Sequence, residues 1–74
     1  SADKDADLAC VAAMREAASA KLASFPTTVK EDEALLAGGG LGERMGMCVE
    51  YRLSVKRNVE AFVRFLAKME ELAE

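Results

Sequence analysis

The side chains best able to act as acids, bases, nucleophiles or metal ligands in this 74-residue sequence are 13 carboxylates and two thiols, because it contains no histidine. General acid–base work needs two carboxylates facing one cleft, a His, or a Cys–His pair. Nine of the carboxylates instead fall into three groups: Asp3, Asp5 and Asp7; Glu31, Asp32 and Glu33; and Glu70, Glu71 and Glu74. The first two sit where helix N-termini are expected, where negative charge complements the helix dipole, and the third reads as solvated. Cys10 and Cys48 lie far apart, and with no CxxC spacing and no His a zinc site is excluded. They are compatible with a disulfide in an oxidising compartment or with two ordinary buried thiols in a reducing one. Gly38-Gly39-Gly40 would cradle phosphate only between a strand and a GK[ST]-type helix start, and neither flanks it. No catalytic residue, cofactor or metal ligand is therefore expected, and no enzyme activity within this stretch.

The elements around these residues are helical. Leu8, Val11, Ala18, Leu22 and Phe25 recur at helical spacing in an Ala-rich run, which predicts an amphipathic helix over about 4–24. Pro26 ends it, since the ring cannot continue the hydrogen-bond ladder. Thr28 and Glu31 have the spacing of a capping box, which predicts a short helix over 29–37, and the triple glycine stops it. From Leu41 onward, apolar residues at 41, 45, 48, 55, 59, 62, 66 and 69 follow a rhythm of fours and threes, predicting a long helix over 43–72 packed on a partner helix. On that seam Met45 and Met69, like the neighbouring Met47, are expected to be plain core. The predicted fold is a single all-α module, two long antiparallel helices with a short bracing helix.

Composition limits what such a module can do. Half of the residues are apolar, but no run of about 18 is free of charge, so no segment spans a bilayer and contact with a membrane complex would be peripheral. The net charge of −3 argues against a nucleic-acid partner. Arg44, Arg52, Lys56 and Arg57 give residues 41–57 a local excess over Glu43 and Glu50, read as a solvated or partner-facing patch. Arg52 also falls where the next seam residue should be, and a charge there must be paired. The expectation is a structural clasp from Arg52 to Asp32 or Glu33. At about 1.5 Å per residue the first helix reaches about 31 Å and the last about 45 Å, so one cannot cover the other. Phe62, Phe65, Leu66, Met69 and Leu72 then form an apolar face too wide for one thin helix to bury, which marks the partner-binding surface.

The run Phe25-Pro-Thr-Thr-Val-Lys-Glu-Asp-Glu-Ala-Leu-Leu36, a Gly-containing spacer with Arg44, and Tyr51-Arg-Leu-Ser-Val-Lys-Arg57 resemble the C-terminal substrate-binding helical domain of plant Rubisco large-subunit methyltransferases. The resemblance covers about residues 25–60. Val55 stands where that family usually has Glu, and Asn58 where an apolar residue is common. In that family the helical domain follows a catalytic SET domain and helps to hold the protein substrate. No SET sequence lies within these 74 residues, so the resemblance implies a fold and a binding habit without methyl transfer. It further implies a plastid location and a partner that is a larger protein complex, photosystem or Rubisco-related, on which the chain would dock as an accessory or assembly component. The alternative it implies is the substrate-binding tail of a SET-type protein-lysine methyltransferase. The Ser-Ala-Asp start is compatible with a mature end left by removal of a targeting sequence and equally with a fragment.

Overall fold

The computed structural model describes residues 2–73, with three helices and no strand among them: α1 (Ala2–Ser24), α2 (Val29–Gly38) and α3 (Glu43–Ala73). The breaks fall where the chain chemistry puts them. Pro26 closes α1, and Thr28 then starts α2 with both halves of the capping box formed: the Glu31 N–H donates to Thr28 Oγ1 at 3.1 Å and the Thr28 N–H to Glu31 Oε1 at 2.9 Å. Gly39 and Gly40 adopt φ of +68° and +80°, which reverses the chain after α2 in a region that side chains with a Cβ rarely enter.

The ion pairs fix the direction of every element. Arg15 of α1 pairs with Glu70 near the end of α3, and Phe25 just after α1 lies beside Lys56 at its middle. Asp32 at the start of α2 pairs with Arg52 and Lys56, while the end of α2 at Leu36 and Ala37 reaches Glu50 and Leu53. So α1 and α2 run end to end, both antiparallel to α3. The short helix thus continues α1 as a second segment laid along the first half of α3, and with it the length mismatch between α1 and α3 disappears.

The result is a rod of 56 × 18 × 14 Å with a radius of gyration of 16.4 Å, where a compact chain of this length would have about 11 Å. Two layers leave little enclosed space. Among the described residues its apolar core is four side chains, Val11, Val49, Leu53 and Leu66. Asp32 and Lys56 are buried beside them, without measurable exposure.

The inward face of α3 differs from the expected seam by about one residue. Val49, Leu53, Lys56 and Leu66 are buried, with Val59, Val63 and Glu70 half-buried, whereas Met45, Cys48, Phe62 and Met69 face outward. Met45 and Met47 are not core residues at all, being more than half exposed. The reason is that α3 has two apolar stripes side by side, both with a mean spacing of 3.5. Periodicity alone cannot choose between them, and the choice is made by Asp32 drawing Lys56 inward and by Arg15 engaging Glu70.

Candidate protein-docking site

Two features of the molecule are candidates for function, and they differ in kind. The first is a polar node at the elbow between α1 and α2. Lys56 Nζ donates to Asp32 Oδ2 at 2.5 Å and to Thr27 Oγ1 at 2.6 Å. Thr27 Oγ1 in turn donates to Asp32 Oδ1 at 2.8 Å, and Arg52 Nη2 donates to the same oxygen at 2.9 Å. The Phe25 ring lies 5.5 Å from the Lys56 ammonium, within cation–π range. Both carboxylate oxygens of Asp32 are thus occupied. The Lys56 hydrogen bond, helped by Thr27 and Arg52 and opposed by burial, holds the Asp32 carboxyl below its usual value, at about 2.

A buried lysine is a candidate nucleophile or base only if its amine can lose its proton and reach a substrate. Here the amine is enclosed without measurable exposure and held by Asp32 Oδ2 and Thr27 Oγ1. A cleft of about 310 Å³ runs past it, lined by Leu22, Phe25, Val29, Lys56 and Glu60, where the Glu60 carboxylate has no acid or base beside it other than the paired Lys56. The node is a clasp. Of the three residues expected in it, Arg52 and Asp32 meet, while Glu33 turns to Arg57 at 3.7 Å. Lys56, the most deeply buried member, was read from sequence as part of an exposed basic patch. Its spacing from Arg52, one helical turn, was the available signal: two like charges at i and i+4 require a shared acid. Of that patch Asp32 takes Lys56 inward and engages Arg52, while Arg44 and Arg57 stay exposed, Arg57 against Glu33.

The second feature is the outer stripe of α3. Phe62, Phe65, Met69 and Leu72 are 45, 60, 41 and 75% exposed and recur at three- and four-residue steps, so they form one continuous apolar strip. Leu66 departs from the expected set. It is buried against α1 in the core and is not available to a partner. Tyr51 and Met47 continue the apolar surface toward the other end of α3, at 74 and 63% exposure.

Cys10 and Cys48 are both free and exposed. The antiparallel packing sets Cys10 beyond the level of Glu70, roughly 33 Å along α3 from Cys48, so a disulfide within one chain is excluded. Among the described residues no group of three His, Cys, Asp or Glu side chains converges on a point that could hold a metal, and no helix is long and apolar enough to cross a membrane.

The model of the Rubisco LSMT substrate-binding family matches residues 3–57 of this sequence, about three quarters of the chain. The chain belongs to that family. No characterised protein and no solved structure gives a match. The matched region contains α1, α2, the first half of α3 and the entire elbow node. As a member of a substrate-binding rather than a catalytic family, the chain is a helical protein-interaction domain.

Proposed function

We propose that this domain is a non-catalytic accessory or assembly component that docks on a larger plastid protein complex, photosystem or Rubisco-related, through the outer stripe of α3. The observation that supports it most is that stripe: Phe62, Phe65, Met69 and Leu72 lie exposed on one face of a well-formed helix. Apolar side chains so aligned cost free energy in water, by roughly 25 cal/mol for each Å² left uncovered, and a partner removes that cost. The elbow clasp supports the same reading from the other side, because its polar groups are consumed inside the chain and leave no chemistry to offer a small substrate.

The test is capture from chloroplast stroma and from detergent-solubilised thylakoids, comparing the wild type with the double variant Phe62→Glu/Phe65→Glu. Rubisco or photosystem subunits retained by the wild type and lost by the variant are the expected outcome. Equal recovery by both proteins, or recovery of neither class of subunit, contradicts the reading.

A second reading is the substrate-binding tail of a SET-type protein-lysine methyltransferase. It is favoured by the extent of the family match, which takes in both layers of the fold. The coding sequence upstream of Ser1 decides it: a SET core in frame favours the tail, and its absence favours the accessory component.

A further inference from the structure

The outer stripe of α3 extends well beyond its four most apolar members. Cys48, Tyr51, Val55, Asn58, Phe62, Phe65, Met69 and Leu72 follow one another by alternating steps of three and four along the length of the helix, and all but the half-buried Val55 are exposed. This is the spacing of a coiled-coil seam, and it lies beside the seam that α3 already uses against α1 and α2. Next to it runs a row of Met47, Ser54, Ala61 and Lys68, small or apolar in three of four places. A helix with apolar surface on two flanks is a central helix of a bundle, covered here on one side only.

An occupant of this stripe must be a helix of similar length and the same period. We infer that a second copy of this chain covers it, with the two α3 helices packed antiparallel about a two-fold axis near residue 60. Two observations select this arrangement. The first is charge. Residues 26–58, which build the α2 half of the rod, hold five cations and five acids, whereas residues 1–25 and 59–74 hold five cations and eight acids, so the whole net charge of −3 sits in the other half. Antiparallel pairing sets each acidic end beside a neutral one, and parallel pairing would set two acidic ends together.

The second observation is the extent of the stripe, which is symmetric about residue 60. With the axis near residue 60, every member of the stripe finds an opposite number: Cys48 with Leu72, Tyr51 with Met69, Val55 with Phe65 and Asn58 with Phe62. A slip by one heptad in either direction would leave two members at one end of the stripe without an opposite number in it, so the full overlap of the stripe specifies the register.

This pairing uses the docking surface proposed above, so the dimer is the form in which the free protein protects that surface. The experiment is sedimentation equilibrium of the full chain from about 1 to 100 μM, with helicity followed in parallel, on the wild type, Phe65→Glu, and Leu72→Cys in a Cys10→Ser background. The wild type should have twice its 7.9 kDa chain mass. Phe65→Glu should keep its helicity and dissociate at least tenfold more readily. Leu72→Cys should form an interchain disulfide with Cys48 under oxidised glutathione, while Cys10→Ser alone should not cross-link. A helical wild-type monomer at 100 μM overturns the dimer and leaves the docking reading standing. A Cys48–Cys48 cross-link in Cys10→Ser overturns the antiparallel arrangement. Failure of the wild type to capture either class of plastid subunit, with the dimer intact, would overturn the docking reading alone.

Discussion

The elbow and the outer stripe of α3 are less than two helical turns apart, yet they solve opposite problems. At the elbow, Asp32 and Lys56 are charges taken fully out of water, and each finds its partners inside the chain. Along the stripe, Phe62, Phe65, Met69 and Leu72 are apolar groups left in water. Burial of charge is tolerated only when geometry satisfies it, so the elbow defines one arrangement of three helices and no other. Exposed apolar surface places no demand on the chain's own fold and a strong one on its surroundings. The difference separates what holds the rod together from what it offers to other molecules; the family match covers the elbow and ends at residue 57, before Phe62, Phe65, Met69 and Leu72.

The largest effect should come from breaking the elbow. Lys56→Met leaves the Asp32 carboxylate buried with Arg52 and Thr27 alone, and removing one member of a buried pair costs roughly 3–5 kcal/mol. A domain of this size has a total stability of about 4–11 kcal/mol, so most of the helix signal should be lost on mild heating. The double variant Asp32→Leu/Lys56→Met should recover much of that loss, since an apolar pair of similar volume removes the stranded charge. Thermal unfolding followed by circular dichroism checks both, and a double variant no more stable than the single one would mean that the ion pair itself is indispensable.

The next effect is its pH dependence. Asp32 titrates at about 2 in the folded chain, below the ordinary 3.8, so the unfolded chain takes up this proton first as pH falls. The clasp therefore contributes its full stabilisation above about pH 4, and that contribution drains away between about pH 4 and pH 2. Melting temperatures at pH 5, 3.5 and 2.5 should fall in that order, and Asp32→Leu/Lys56→Met should show a shallower decline. Equal slopes would place the titrating group elsewhere.

A smaller effect is expected at the far end of the rod. Arg15 and Glu70 form an ion pair with Nε–Oε1 at 2.5 Å, but both side chains are partly in water. Pairs of this kind contribute little and are screened by salt. Arg15→Ala should lower the melting temperature only slightly, and the difference should shrink between 0.05 and 0.5 M NaCl. A loss as large as that of Lys56→Met would move the structural centre of the fold away from the elbow.

How much of this was legible in the sequence depends on where the signal resides. Pro26, the Thr28–Glu31 capping box and Gly39 are local devices whose effect is complete within a few residues, and the helix limits follow from them to within two residues. The stripe of Leu8, Val11, Ala18, Leu22 and Phe25 on α1 stands alone on its helix, so its inward face was unambiguous. On α3 the same logic had two answers. Val49, Leu53 and Lys56 make one stripe and Cys48, Val55 and Phe62 the other, and the deciding contact is made by Asp32, 24 residues from Lys56. Hydrophobicity also argued against Lys56 as an inward residue, because its burial is favourable only once Asp32 and Thr27 are in place. Arg52 was recognisable because a charge among apolar seam positions calls for a partner. Leu66 was assigned to the partner surface although α1 covers it, since lengths alone cannot say which side of α3 the first helix takes.

The central claim is that the elbow carries folding and the stripe carries association. Its most direct test is the concentration dependence of thermal unfolding, measured side by side for the wild type, Asp32→Asn and Phe65→Glu. Association stabilises only the species that associates. The account predicts a wild-type melting temperature that rises with concentration, a Phe65→Glu value that does not rise and meets the wild-type value at high dilution, and an Asp32→Asn value well below both at every concentration. An Asp32→Asn protein that melts with the wild type, or a Phe65→Glu protein that has lost its helices even at high dilution, would contradict it.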